Sequence, residues 1–335
     1  AGPVRVGGMR AALIARQAPR GPVAPQVEYV EDWPGPDVPG PGEIGVRAIA
    51  SALNHMDLWT GMGIPGVPIE YPHIGGVDGC GIVESVGVGV EETWLGRTVV
   101  HNAAVEVPAR GRPTRAPDYR LIGEHSHGTH REFWCVPVAN AFDIGDADPL
   151  GAAAIGLTAL TAWSMMVTKG GLEPGQDVLI TGIGGGVAVA ALGIARWRGC
   201  RVAVTSRSAR KLDRARELGA DHAILDEGQD WSRELREWTG KRGVDLVVDT
   251  IGGPVLGPAV RSLARGGAFV TAGTTAAPAG QLELNRVFWN QLRILGSTMG
   301  TNEEFHAVME LYCSGDLVPV IDSVVPAARA RSAWE

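Results

Sequence analysis

Between Val178 and Trp197 the chain passes from an apolar run (Val178 to Ile180) into a turn holding Gly182, Gly184, Gly185 and Gly186. From Val187 onward it continues in small and apolar residues with helical spacing. That order is strand, tight turn, helix. Glycine lets the backbone reverse sharply and come close to a diphosphate, whose charge is met by free N–H groups at the helix start. An isolated glycine turn is weak evidence, because any close strand-to-helix packing can demand one. The residues after it make it specific. Gly199 to Ser206 reads as a second strand, Ser208 to Leu218 as a helix and His222 to Asp226 as a third strand. Trp231 to Trp238 follows as a helix, Val244 to Asp249 as a fourth strand, Val255 to Leu263 as a helix and Gly267 to Thr271 as a fifth strand. Apolar runs alternating with helical stretches at this spacing specify parallel strands joined by right-handed crossovers, hence a doubly wound α/β sheet.

The first half lacks that rhythm. Glycine and proline punctuate Trp33 to Gly45, and strand-like pieces such as Ile44 to Ala50 and Gly79 to Val86 surround the region, which predicts a β-rich domain. At 335 residues the chain is long enough for two domains. Residues Ala1 to Gly8 read as a leader outside the fold. The net charge of -7 argues against a nucleic-acid or membrane-surface binder, since neutralising phosphate takes clustered Lys and Arg. The Arg-rich stretch from Arg110 to Arg120 is short and broken by prolines, as a solvated loop would be. No apolar run approaches the ~18 to 20 residues of a transmembrane helix and no signal peptide opens the chain, so a cytoplasmic location is expected. Four scattered cysteines, Cys80, Cys135, Cys200 and Cys313, form no Cys-x-x-Cys pair and read as buried free thiols.

Two halves of this kind, with Asn54-x-x-Asp57 and the stretch from Pro72 to Gly87 in the first, resemble the medium-chain dehydrogenase/reductase superfamily. Supporting stretches are Leu121 to Thr129, Gly156 to Trp163, Arg216 to Asp221 and Leu295 to Thr298, and the match runs from Met9 to near the end. The resemblance implies a GroES-like β-barrel catalytic domain over 9–150, completed by about 302–335. It also implies a Rossmann nucleotide-binding domain over 151–301, with the active site in the cleft between the two. Zinc members of the superfamily hold their catalytic metal at positions that read here Asn54, Val77 and Leu157. Two hydrocarbons and an amide are no zinc donor set. The cysteine lobe for structural zinc is likewise replaced by His101 to Tyr119, which has no cysteine. These departures place the chain nearer the zinc-independent quinone and enoyl reductases, where Asn replaces the first ligand. The glycine pattern, read as Gly182-x-x-Gly185-x-x-Ala188, agrees with that branch.

An acid at the end of the second strand would bind an unmodified ribose and repel a 2′-phosphate. Here the strand ends in Ser206 and Arg207, with Lys211 a helical turn further on, so hydroxyl and cationic donors point to NADP(H). Other expected cofactor contacts are Thr161, Gly182, Gly184, Gly185, Gly186 and Val187, with Gly273 and Thr274 after the fifth strand. Asn54 is the expected polar residue beside the nicotinamide or substrate. Asp57 is the second candidate for the catalytic set, more readily a brace than a proton donor because an ordinary carboxyl is ionised at neutral pH. The expected chemistry is hydride transfer from NADPH to a quinone or an α,β-unsaturated carbonyl without zinc. The tyrosine that some enoyl reductases carry after the Asn-x-x-Asp motif is replaced by Gly63 to Pro65, and water, His55, His73 or Tyr71 remain open as proton source. Two alternatives stay open: an alcohol dehydrogenase with a metal relocated to His125, His127 and His130, and a noncatalytic NADPH-binding protein. The strand Arg293 to Ser297 corresponds to the sheet edge through which members of this superfamily pair, so a homodimer is expected. The sequence stops earlier than relatives that run on into a last helix and barrel strand.

Overall fold

The computed structural model describes residues 8–35, 38–105, 114 and 119–335. Nearly all of residues 1–8, expected to be a leader, and most of the Arg-rich stretch 110–120 lie outside the described residues. The chain divides into two compact units. One comprises residues 1–157, 301–313 and 321–335, the other 158–300 and 314–320. The first division falls within a helix, and the short 314–320 segment packs with the second unit.

In the first unit, β1 (Met9–Ile14) pairs antiparallel with β2 (Val27–Trp33). The next elements are β3 (Glu43–Ala52), α1 (His55–Met62), β4 (Asp78–Val86) and β5 (Thr98–His101). A small ribbon follows, β6 (Ala104–Val105) with β7 (Arg120–Leu121), and then β8 (Phe133–Pro137) and β9 (Ala141–Asp143). β8, β3, β4, β5 and β9 lie side by side, in that order, in one antiparallel sheet. Its strands bury Ile44, Val46, Cys80, Val83, Val99 and Trp134. The β-rich reading of the first half therefore holds. α1 starts where it does because Asp57, three residues past Asn54, accepts the Asn54 backbone N–H at 2.7 Å and satisfies one of the donors a helix start leaves open.

α2 (Pro149–Trp163) runs on into a π-helical turn, Ser164–Lys169. Together, Pro149–Lys169 is long and apolar enough to cross a bilayer by length and composition, which corrects the expectation that no such run exists. Two thirds of its most apolar window is buried within the protein, so its hydrophobicity is accounted for by core packing.

The second unit is the doubly wound sheet. Its elements are β10 (Asp177–Ile180), α3 (Gly186–Trp197), β11 (Arg201–Ser206), α4 (Ala209–Glu217), β12 (His222–Leu225), α5 (Ser232–Trp238), β13 (Val244–Asp249), α6 (Leu256–Ser262), β14 (Leu263–Thr271), α7 (Leu284–Trp289) and β15 (Arg293–Gly296). All neighbours are parallel, in the order β12-β11-β10-β13-β14-β15. Every residue of β10 is buried, as strands covered by helices on both faces require. Leu179, Ala203, Val247 and Phe269 of the sheet pack with Leu235, Ala259 and Val260 of the helices and with Trp231, just before α5. This order reverses at β10, so the carboxyl ends of β10 and β13 form the switch point where such sheets take their ligands. The chain closes with α8 (Asn302–Ser314) and α9 (Ala330–Ala333). All four cysteines are free; Cys80 and Cys200 are buried as expected, whereas Cys135 is half-buried and Cys313 exposed.

Candidate active site and nucleotide turn

The glycine turn sits at the switch point. Gly182 and Gly184 have φ of 65° and 112°, values an L side chain rarely adopts. Gly182 donates its N–H to Thr205 Oγ1 at 3.2 Å, and the Ile183 N–H meets the Thr205 carbonyl at 2.8 Å, which ties the turn to β11. Gly185 caps α3, and no side chain caps the helix in its place. A Cβ built on Gly185 would meet nothing within 4 Å. An uncapped twelve-residue helix opening onto clear space beside positive-φ glycines fits a dinucleotide diphosphate, with Gly185, Gly186 and Val187 supplying N–H groups.

The Lys211 side chain lies across this turn: a Cβ on Gly184 would stand 2.5 Å from Lys211 Cδ and 3.2 Å from its Nζ. Ser206 is buried at the end of β11, where its hydroxyl accepts the Ser208 N–H at 3.2 Å. Arg207 is exposed and lines a cavity of about 640 Å³ that is also bordered by Asp226, Glu227, Asp230, Trp231 and Arg261. Carboxylates thus share the space around Arg207, a feature the strand-end reading did not anticipate, because they arrive from the loop after β12. Asp230 is matched to Arg261 at 3.0 Å.

Sequence reasoning left Asp249 unassigned. It is fully buried at the end of β13, where burial raises its carboxyl above the usual range. It accepts Thr181 Oγ1–H at 2.6 Å and the N–H groups of Gly252 at 3.0 Å and Ile251 at 3.2 Å. Asp249 therefore braces the start of the glycine turn against the loop after β13. That loop is stitched in turn to the segment carrying Gly273 and Thr274, since Thr275 and Ala276 donate N–H groups to the Thr250 and Ile251 carbonyls at 3.1 and 2.9 Å. Thr161 is buried in α2, and its hydroxyl faces Met299 Sδ at 3.9 Å.

In the first unit, Asn54 and Asp57 occupy the start of α1. Asp57, 1 % exposed, accepts N–H groups from Asn54 and Gly76, each at 2.7 Å, and lies 3.4 Å from His130 Nε2. These contacts make it a brace between α1 and the segment before β4. The Asn54 amide donates from Nδ2 to Asp78 Oδ2 at 3.0 Å, and the other oxygen of Asp78 accepts the Leu157 N–H at 2.8 Å. Asp78 is 3 % exposed, and desolvation pushes its carboxyl up to about 7 against the opposing pull of those two hydrogen bonds. The sequence reading missed Asp78. Its signal was its place directly after Val77 in the glycine-rich run before β4.

The three positions that would hold catalytic zinc thus carry an amide committed to Asp78, a fully buried Val77 hydrocarbon, and Leu157, whose backbone N–H is committed to the same carboxyl. They do not fit zinc. His125, His127 and His130 do not converge either. The Leu121 N–H meets His125 Nδ1 and the Ile74 N–H meets His127 Nδ1, each at 3.2 Å, while His130 Nδ1 bonds Ser51 Oγ at 2.9 Å. Among the described residues no three His, Cys, Asp or Glu side chains are placed to hold a metal ion. Most of the 101–119 segment that stands where relatives carry structural zinc lies outside the described residues.

A doubly wound sheet with an uncapped glycine turn at its switch point, together with the β-rich unit, defines a nicotinamide-dinucleotide oxidoreductase. Comparison with known proteins agrees. The family model described as "Alcohol dehydrogenase GroES-like domain" matches residues 40–146, and that described as "Zinc-binding dehydrogenase" matches 186–314. A zinc-type alcohol dehydrogenase-like protein YogA from Leptosphaeria maculans is 29% identical over 305 residues, spanning 86% of this chain and 84% of its own length. A 2-haloacrylate reductase from Burkholderia sp is 31% identical over 216 residues, spanning 64% of this chain and 60% of its own. A solved structure of an NAD-dependent alcohol dehydrogenase superposes with a TM-score of 0.87 at 38% identity, covering 97% of this chain and 94% of that one. The chain belongs to the medium-chain dehydrogenase/reductase superfamily.

Proposed function

We propose that the chain reduces quinones or α,β-unsaturated carbonyls with NADPH, without catalytic zinc. The observation that carries this reading is Asn54, its amide bonded to Asp78, at a position where zinc relatives hold metal. An amide N–H stabilises a developing oxyanion less than a metal does. That suits acceptors in which hydride adds to carbon or to a quinone and the charge spreads into an enolate or phenolate. It suits the interconversion of a simple alcohol and ketone poorly. When bound, the dinucleotide supplies the hydride. The chain's own residues then do the remaining work. Gly182, Gly184, Gly185, Gly186 and Val187 accommodate the diphosphate, Ser206, Arg207 and Lys211 the 2′-phosphate, and Thr161, Gly273 and Thr274 the nicotinamide end. Asn54 meets the acceptor oxygen, and Asp57 holds Asn54 in place. The name of the Burkholderia relative supports a reductase.

The test is metal-stripped protein assayed with NADPH and NADH against quinones, enones and enoyl thioesters. Turnover of at least one acceptor that survives chelation is expected, with Arg207→Ala and Lys211→Ala each raising the KM for NADPH roughly tenfold while leaving that for NADH nearly unchanged, as loss of a charged hydrogen bond to phosphate should. No turnover with any acceptor would sink the reading. A second reading, an NAD-dependent alcohol dehydrogenase, is favoured by the 38% identical structure of that description and by the carboxylates around Arg207. Oxidation of an alcohol with NAD+ in preference to NADP+ would establish it. We also infer a homodimer through β15, supported by the exposed edge of the sheet and the apolar residues of α7 before it.

A further inference from the structure

The Asp78 carboxyl has no place in the reading above except as a neighbour of Asn54, yet the chain makes unusual provision for it. It reaches the backbone of α2 well inside the helix, where it takes the Leu157 N–H at 2.8 Å. It gets there because residue 156 is glycine: a Cβ on Gly156 would stand 2.7 Å from Asp78 Oδ1. Both of its oxygens accept, one from Leu157 and one from the Asn54 amide. Meanwhile the main chain of Asn54 is pinned independently by Asp57. Turning the amide plane over would exchange only the capping contact that the Asn54 side chain makes with the Asp57 N–H.

We propose that Asp78 is a positioning residue that decides which end of the Asn54 amide is turned away from it, toward the reacting oxygen. An ionised carboxylate only accepts, so it takes Nδ2 and leaves Oδ1 turned away from it. A carboxylic acid can donate its O–H to Oδ1, which turns the amide over and leaves the two N–H donors facing outward. An acceptor carbonyl that gains negative charge needs the second state, whereas a substrate arriving as a hydroxyl is matched by the first. The ionisable groups facing Asp78 are Asp57, which disfavours its charge, and His130, which favours it. Burial raises its carboxyl toward the neutral range, which is where the two states would exchange. The proposal rests on the reading of Asn54 as the residue that meets the acceptor.

Two measurements on the full chain separate this proposal from that reading. The first is difference infrared spectroscopy across the neutral pH range on protein with isotope-labelled asparagine, comparing wild type with Asp78→Asn and Asn54→Ala. A protonated-carboxyl band that is lost in Asp78→Asn, and whose titration is accompanied by a shift of an amide band lost in Asn54→Ala, is expected. A carboxyl band that titrates with no accompanying amide shift, or no titrating band, overturns the proposal whether or not any acceptor is turned over. The second is the pH profile of NADPH-driven reduction of menadione. In wild type kcat should fall roughly tenfold per pH unit above the step, with the KM for NADPH constant. Asp78→Asn should remove the step, and Asp78→Glu should restore it. Superimposable wild-type and Asp78→Asn profiles would also overturn it. If menadione and every other acceptor are inert, the reductase reading is what has failed, and the infrared titration alone decides the role of Asp78. If Asp78→Asn does not fold, the wild-type and Asn54→Ala spectra still decide it, through the coupling of the two bands.

Discussion

Asn54 and Asp57 stand out in the sequence because they are three residues apart, the spacing at which a helix-start carboxylate reaches back to the residue before the helix. Asp78 and Asp249 do not stand out, because what defines them lies far along the chain: Asp78 bonds residues 24 and 79 positions away, and Asp249 bonds Thr181 across 68 positions. A single sequence carries no mark of such pairings. The glycine at 156 is the trace that one of them left. Gly156→Ala would place a methyl group 2.7 Å from Asp78 Oδ1, so either the carboxyl withdraws or α2 shifts. The expected cost is about 1 to 3 kcal/mol of stability, the usual range for forcing extra volume into a packed site. Acceptor reduction should fall with it, because the Leu157 anchor is lost. Urea unfolding followed by tryptophan fluorescence measures the first, and steady-state assay the second; a variant as stable and active as wild type would mean that the carboxyl's reach into α2 is incidental.

At the scale of elements, the alternating strands and helices from Val178 to Thr271 were legible to within a few residues, because buried parallel strands read as apolar runs and the crossover helices have their own period. The helix Pro149–Lys169 was not. It is apolar nearly all round, so it lacks the one-sided stripe that marks an amphipathic helix. Its π-helical end also has no periodic signature; there Lys169 Nζ donates to Ser164 Oγ at 3.0 Å and to Ser297 Oγ at 2.8 Å. The glycine turn is the element in which sequence and geometry agree most closely, and it carries a prediction. Gly184→Ala would hold an L residue at φ 112° with its Cβ 2.5 Å from Lys211 Cδ. Strain of about 1 to 3 kcal/mol is expected, and displacement of Lys211 should weaken binding of NADPH at least tenfold. Isothermal titration calorimetry reads the affinity, and unchanged binding would show that neither the turn nor Lys211 touches the dinucleotide.

At the scale of the whole molecule, the second unit leaves apolar surface at one end of its sheet. β15 is an edge strand, and its Ile294 is 39% exposed; on α7, just before it, Leu284, Phe288 and Trp289 are 69%, 70% and 70% exposed. An open edge beside bare aromatic side chains invites pairing. A two-fold axis at this edge would bring both copies' sets together. Burying three large apolar side chains per copy contributes roughly 9 to 18 kcal/mol gross at about 1.5 to 3 kcal/mol each. Association costs about 4 to 15 kcal/mol. The apolar set is therefore large enough to matter but needs the backbone pairing of the two β15 edges to give a firm dimer. Removing either contribution should show. Trp289→Glu and Ile294→Lys, singly and together, are expected to shift the mass measured by light scattering during gel filtration from dimer toward monomer at micromolar concentration. Because Trp289 and Ile294 make none of the hydrogen bonds that tie the glycine turn to β11, NADPH affinity should stay within about twofold of wild type, as for independent sites. A wild-type chain that elutes as a monomer would show that this edge is left bare.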